Sequence, residues 1–295
     1  MRRFEYIFLL TLTACSLAVT EDYDPEVALT FHPMSTPYTK SSSEVFPSDL
    51  VFGVSAWTVG RGVNWIYGCD VKPFVHQEKG VRNSEDSWRL EKTLLWPSVN
   101  ESMTVVAYAP YSRAAGCCHE YGVRFEDVDV LEDQTDLMYT LPQKDMDKGS
   151  TGGIVPLPFL HALCRVDFKV KDRTSPGEQI IVKKIVLKSA SFKGSFSSLP
   201  QPQWTVGAET SPVVFFDGSL YSSDNPVMAG ESLLMIPQRL RTAVEVEFEY
   251  VNAAGYSITQ QISSPDMDTD LKPGKHYTYV LSVGVDDVRF MMEVL

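Results

Sequence analysis

Val244-Glu245-Val246-Glu247-Phe248-Glu249-Tyr250 sets apolar side chains at every second residue and carboxylates between them. Successive side chains of a β-strand point to opposite faces, so this stretch predicts a strand with one buried and one wet face. The same period of two spreads outward in both directions. Tyr277, Tyr279, Leu281 and Val283 repeat it toward the C-terminus. Toward the N-terminus, Val166, Phe168 and Val170 alternate with Arg165, Asp167, Lys169 and Lys171. Met103, Val105, Ala107 and Ala109 alternate with Thr104, Val106 and Tyr108, and Val27, Leu29 and Phe31 with Ala28, Thr30 and His32. Alternation with one wet face predicts antiparallel sheets. Helical periodicity is nearly absent; residues 123–139, with six acidic side chains, leave room for one or two turns. Turn signals such as Asp217-Gly218, Asp224-Asn225-Pro226 and Lys272-Pro273-Gly274 punctuate the strands. Short strands at this spacing, without a strand–helix rhythm, predict an all-β fold of sandwiches.

The 295-residue chain carries 26 Lys+Arg against 38 Asp+Glu, a formal charge of −12. That balance repels phosphate backbones and argues against nucleic acid as a partner. With 44% apolar and 22% charged residues, the composition is that of a folded protein. Its length exceeds what one hydrophobic core usually organises, which predicts two domains. The best boundary signal is Lys148-Gly149-Ser150-Thr151-Gly152-Gly153, and the cut is placed near residue 160. This gives an N-terminal sandwich at 27–160 and a C-terminal one at 161–295.

The N-terminus reads as an export signal. Met1-Arg2-Arg3 is a short basic start, Tyr6-Ile7-Phe8-Leu9-Leu10-Thr11-Leu12 an apolar run too short to span stably, and Leu12-Thr13-Ala14-Cys15 its end. The tetrapeptide resembles a bacterial lipobox, which makes 1–14 a signal peptide and Cys15 a lipidation site. Residues 15–26 then form an acidic tether. Each buried methylene of an acyl chain contributes ~0.8 kcal/mol, so such a protein is anchored to a membrane rather than threaded through it. Cys69, Cys117, Cys118 and Cys164 remain. They permit two disulfides in any of three connectivities, or reduced buried thiols.

Enzyme motifs fail one by one. Gly60-Arg61-Gly62 begins like a dinucleotide loop but lacks its third glycine. Asp266-Met267-Asp268-Thr269-Asp270 has the spaced carboxylates of a calcium loop, but Leu271 stands where the loop needs Gly and Tyr277 where it needs Glu. Cys117-Cys118-His119-Glu120 offers metal-ligand types in a row, which do not converge easily on one tetrahedral ion. His32, His76, His119, His161 and His276 are scattered. No catalytic residue, cofactor or metal site is expected.

An ordered set of segments resembles the fimbrillin-like family. It begins with Leu94-Leu95-Trp96-Pro97 and Met103-Thr104-Val105-Val106-Ala107-Tyr108-Ala109-Pro110-Tyr111, then runs through Val155-Pro156-Leu157-Pro158-Phe159-Leu160-His161 and on to Phe168. Residues 180–195, Leu234-Met235-Ile236-Pro237-Gln238 and Lys272-Pro273-Gly274-Lys275-His276-Tyr277-Thr278-Tyr279 complete it. The resemblance implies two transthyretin-like Greek-key β-sandwich domains, a lipoprotein precursor at the outer membrane and cell surface, and a place in a pilus built with other pilus subunits. It also implies a removable first strand, here Val27, Leu29 and Phe31, whose groove accepts a strand from a neighbour. The resemblance implies a cut after an Arg following this strand, as in the best-known members. Here the only basic residue between Cys15 and Arg61 is Lys40, in a serine-rich stretch, and the candidates are Lys40 and Arg61. The tail, with Val288, Phe290 and Met292 on one face, either donates a strand or completes the second sandwich. An uncut chain would stay lipidated as an anchor or minor component. A different reading is a monomeric surface lipoprotein holding glycans on Trp57, Trp65 or Trp204. A hydrolase would need clustered carboxylates in a cleft, whereas Glu245, Glu247 and Glu249 form a wet strand face.

Overall fold

In the computed structural model, residues 26–37, 46–63, 72–84, 87–113, 115–118 and 122–294 are described. Cys15, Lys40, Trp65, Cys69 and His119 lie outside them. No helix among the described residues is long and apolar enough to cross a membrane. The Val244–Val251 strand pairs antiparallel with Gln179–Ala190 on one side and Ser257–Ser263 on the other, and Ser211–Tyr221 completes this four-stranded sheet. Val244, Val246 and Phe248 point inward beside Ile180, Val182, Ile185 and Leu187, all fully buried. The glutamates point out but do not stand alone. Lys188 meets Glu245 at 2.9 Å and Lys183 meets Glu249 at 3.3 Å, both from the neighbouring Gln179–Ala190 strand. The wet face is thus a ladder of opposite charges, a pairing that adds modestly to sheet stability.

The N-terminal half builds an eight-stranded sheet that closes on itself. Its order is Phe52–Gly60, Val75–Ser84, Ser87–Leu90, Thr30–Ser35, Ile154–His161, Met138–Tyr139, Glu101–Ala109 and Gln143–Met146, with Phe52–Gly60 also pairing Glu101–Ala109. Phe31, Phe52, Val54, Met103, Val105, Val155, Leu157 and Phe159 fill the enclosed core. Gly80 faces Phe52 across the sheet, and the Phe52 ring lies where a side chain on residue 80 would be. A second core gathers Phe168, Tyr279, Leu281, Val246, Phe248 and Phe196. The chain is an all-β protein of sandwich type.

Three expectations are corrected. The first concerns the 103–109 alternation, which predicted one wet face. Here both faces are buried, because Met103, Val105, Ala107 and Ala109 enter the first core while Val106 and Tyr108 enter the second. One strand shared between two cores has no solvent side. Second, the stretch 123–139 holds no helix. It forms the Gly122–Asp129 strand and the Met138–Tyr139 strand. Gly122–Asp129 pairs with Lys193–Ser197, a sheet that ties the region before residue 160 to the region after it. Third, not every pairing is antiparallel: Thr30–Ser35 runs parallel to Ile154–His161, and Cys164–Asp172 parallel to His276–Val283. The glycine-rich stretch before residue 154 includes one helical turn, Lys148–Thr151. The Asp147 carboxylate accepts from the Ser150 amide at its start, and Gly152 in the left-handed conformation ends it.

Candidate functional site

The first strand is held on both sides. Its entry is a short ladder in which the Leu29 amide donates to the Leu94 carbonyl at 2.8 Å and the Trp96 amide to the Val27 carbonyl at 2.9 Å. From Thr30 onward the backbone runs in unbroken parallel register with residues 154–159, while Thr30 and Phe31 also face Arg89 and Trp88. Leu29 and Phe31 are fully buried, Val27 half-buried at the margin of the same core. The strand extends to Ser35, four residues past the predicted end, and Pro33 continues the buried series.

Around Phe31 the core is aromatic. Phe31 meets Phe52 edge-on, and Phe46 contacts Phe52, Trp88 and Phe159 with centroids 5.8, 5.6 and 4.8 Å apart. Burying a Leu or Phe contributes about 1.5–3 kcal/mol, so Leu29 and Phe31 together contribute about 3–6 kcal/mol to the core. Thr30 Oγ1 and Trp96 Nε1 both donate to the Gly153 carbonyl, at 2.9 and 3.0 Å. At the far end His161 lies between Asp136 and the Thr36 carbonyl, its two ring nitrogens 2.7 Å from each. His161 was legible in the sequence as a scattered histidine and as the end of the Val155–His161 segment of the resemblance; its neighbours arrive through folding. Outside the strand pair, His32, Met146, Ser150, Thr151, Ile154 and Pro156 line an open cleft of about 540 Å³.

Arg61 sits in an exposed turn after Phe52–Gly60, with its amide donating to Asn100 O at 2.7 Å and Gly62 at φ 80°. The tail strand Val288–Val294 pairs in full antiparallel register with His276–Val283 as the edge of its sheet. Val288 is buried, Phe290 packs against Tyr279 with centroids 6.3 Å apart, and Met292 is exposed.

The remaining candidates take ordinary places. Trp57 is buried in the second core, and Trp204 packs on Phe196 with its Nε1 donating to Ala162 O at 2.7 Å. Buried Trp57 presents no open ring for a sugar, and Trp204 is half-buried. The Asp266–Asp270 stretch is mostly strand, and Arg239 grips the Asp268 carboxylate with two bonds of 2.8 Å. The hydrogen bond from Arg239 holds the Asp268 carboxyl down at about 2. A cleft of about 510 Å³ carries Asp127, Asp129 and Glu132, but Asp129 is engaged by Lys193 at 3.2 Å and by the Leu131 and Glu132 amides. Among the cysteines, Cys118 is disulfide-bonded, whereas Cys117 and Cys164 are buried free thiols pushed up to about 12 by desolvation.

Two cores, and a first strand clamped into the wall of a closed sheet, define a β-sandwich architecture with a discrete N-terminal rib. The chain belongs to the fimbrillin-like family, whose model matches residues 39–294. Its fold is similar to that of a fimbrial protein from Bacteroides vulgatus, with a TM-score of 0.70 at 18% identity, covering 90% of this chain and 98% of that one. Candidate cell adhesion proteins from Bacteroides uniformis and Bacteroides ovatus give TM-scores of 0.56 each at 17% and 14% identity. They cover 92% of this chain and 99% and 98% of theirs. No curated protein matches the chain.

Proposed function

We propose that this protein is a non-enzymatic structural subunit of a surface fimbria that contributes to cell adhesion. It is exported as a lipoprotein, attached to the outer membrane through Cys15 and assembled with other pilus subunits by strand exchange. In this reading residues 27–160 form the N-terminal sandwich and 161–295 the C-terminal one. A protease cuts after Lys40 or Arg61 and frees the strand carrying Val27, Leu29 and Phe31. The observation that carries the reading is the position of that strand. It is a rib of the closed sheet, bonded on one side to Ser87–Leu90 and on the other to Ile154–His161. Its removal leaves two unpaired edges and empties the space of Leu29 and Phe31, and an extended segment from another copy restores both ladder and burial. Because donor and acceptor surfaces differ, successive additions do not close, and a fibre grows.

The tail strand, with Val288, Phe290 and Met292, is the candidate donor; to serve, it must leave His276–Val283. A chain that keeps its first strand would serve instead as an anchor or minor component. The test is N-terminal sequencing of the protein recovered from the cell surface, with electrophoresis in SDS without boiling. A fibre subunit gives a new N-terminus after the first strand and a ladder of bands that deletion of residues 27–35 abolishes. A lipidated Cys15 without a ladder supports the anchor role. Monomer after trypsin-like treatment sinks strand exchange.

A further inference from the structure

Sheet edges invite pairing with other chains, and proteins ordinarily defend them with charge, proline, bulges or brevity. Most edges here follow that rule. Ser211–Tyr221 carries Pro212 and Asp217 and has three register shifts against its neighbour. Val288–Val294 carries Arg289 and Glu293. Gln143–Met146 and Gln203–Val206 are four residues long. Ser257–Ser263 is different. Its sequence Ser-Ile-Thr-Gln-Gln-Ile-Ser has no charge, no proline and no glycine, and it pairs with Val244–Val251 through seven consecutive residues without a bulge. No described strand lies on its other side. Short, uncharged, β-prone segments of this kind are the ones that add strands.

The geometry of the open side follows from two bonds at its ends. The Asn252 amide donates to the Tyr256 carbonyl at 2.9 Å and the Ser264 amide to the Val244 carbonyl at 2.8 Å. Even-numbered residues therefore turn their backbone groups inward, and by alternation Ser257, Thr259, Gln261 and Ser263 present theirs at the free edge. Ile258 and Ile262 stand opposite Tyr250 and Val246, on the core side of the sheet. Yet Ile258 is 51% exposed at this open edge.

The segment also reads nearly the same from either end about Gln260: Ser257 mirrors Ser263, Ile258 mirrors Ile262, and Thr259 mirrors Gln261. We propose that this edge pairs antiparallel with the same edge of a second copy, about a two-fold axis beside Gln260. In that register Ser257 faces Ser263, Thr259 faces Gln261, and each of these pairs exchanges both of its backbone hydrogen bonds. Ile258 of each copy is covered by Ile262 of the other, and two four-stranded sheets become one. A second copy is the occupant the chemistry favours. The chain carries −12, so two copies repel over most of their surfaces, and this uncharged strip is where they approach with least penalty. Both copies use one patch, so the contact closes as a dimer and does not propagate. It goes beyond the fibre reading, since it forms with the first strand in place and needs no tail.

The test is sedimentation velocity of the full chain in detergent over a range of concentrations, at low and moderate salt, with variants. The expected result is a monomer–dimer equilibrium that tightens with salt as repulsion is screened. It persists when residues 286–295 are deleted. Thr259→Pro removes an outward amide, and Gln260→Lys sets two lysines face to face on the axis. Each is expected to weaken association at least ~10-fold, with thermal unfolding measured alongside because Gln260 lies half-buried opposite Phe248. Gln260→Cys is expected to cross-link on oxidation, since opposed residues of a non-bonded antiparallel pair lie about 4.5 Å apart, within disulfide reach. Ser257→Cys, about 20 Å from its own copy at 3.3 Å per residue, is expected to stay unlinked. The proposal is overturned if the chain stays monomeric throughout. It is overturned equally by a dimer that survives Gln260→Lys, or one in which Gln260→Cys fails to link.

Discussion

Phe31 of the first strand lies edge-on to Phe52 of the next, ring centroids 6.2 Å apart and planes at 81°. The two strands share no backbone hydrogen bond, so this contact passes through the core of the closed sheet. Both rings are fully buried. Phe31→Ala is expected to cost about 3–5 kcal/mol and Leu29→Ala about 2–5 kcal/mol, measured by urea unfolding of the unprocessed chain. Half-buried Val27 should matter less. A change near zero for Phe31→Ala would show that the first strand does not hold the N-terminal core together.

His161 fixes where that strand ends. Its ring nitrogens face the Asp136 carboxylate and the Thr36 carbonyl, and the Thr36 amide donates to Phe159 O at 3.1 Å. His161→Ala is expected to fray the strand from its C-terminal end. Amide exchange at Ser35 and Thr36 should then accelerate while Phe31, deep in the core, keeps its protection. Equal acceleration along the whole strand would mean that His161 supports the fold globally.

How far the sequence could be read depended on how many cores a strand serves. Val244–Val251 faces one core and one solvent layer, so its alternation announced both faces correctly. Glu101–Ala109 touches two cores, and its Val106 and Tyr108 looked like members of a wet face because no local pattern records a second core. The lysines that pair with Glu245 and Glu249 lie some 60 residues away in the Gln179–Ala190 strand, and only the register brings them across. Parallel pairing of Thr30–Ser35 with Ile154–His161 has the same origin, a contact between segments over 120 residues apart. Residues 27, 29 and 31 were legible as a set facing one way. Their neighbours Trp88 and Phe159, and the clamp at Thr36, were not.

Thiol chemistry should separate the adjacent cysteines. Neighbouring residues in Gly116–Cys118 point to opposite faces; Cys117 enters the second core, and Cys118 is bonded elsewhere. Burial raises the Cys117 and Cys164 thiols to about 12, leaving almost no reactive thiolate at neutral pH. Iodoacetamide is therefore expected to spare both in the native protein. In urea without reductant it should modify both, and Cys118 only after reduction. Mass mapping reads the result; rapid native labelling of Cys117 would contradict this burial.

Asp268 supplies a pH-dependent term of defined sign. The hydrogen bonds from Arg239 hold its carboxyl at about 2, below the ordinary value of 3.8. Between those values the unfolded chain binds more protons than the folded one, so stability rises with pH across that window. The contribution is present above about pH 4 and is lost as pH falls through about 2. Asp268→Asn is expected to flatten the dependence of Tm on pH between 2 and 4. It should leave the shape of the curve unchanged above 5. A pair this exposed has a small effect, so the slope, rather than the absolute Tm, is the quantity to compare.

Under the proposed processing, the two candidate cleavage points have different consequences for the fold, and that difference predicts which one would be used. A cut after Lys40 frees the Thr30–Ser35 strand alone and leaves Phe46 and all of Phe52–Gly60 in place. A cut after Arg61 frees Phe52–Gly60 as well. That strand pairs with Glu101–Ala109 without a break from Gly53 opposite Tyr108 to Gly60 opposite Glu101, and with Val75–Ser84 on its other side. With both strands gone, Val75–Ser84 and Ser87–Leu90 keep only each other as neighbours, and an isolated two-stranded ribbon is marginal in water. The core would also lose Phe52, Val54 and Ala56. The expected mature N-terminus is therefore Ser41, with Lys40→Ala blocking its appearance and Arg61→Ala leaving it unchanged. Recovery of folded, fibre-competent protein beginning at Gly62 would show that the closed sheet tolerates the loss of two ribs.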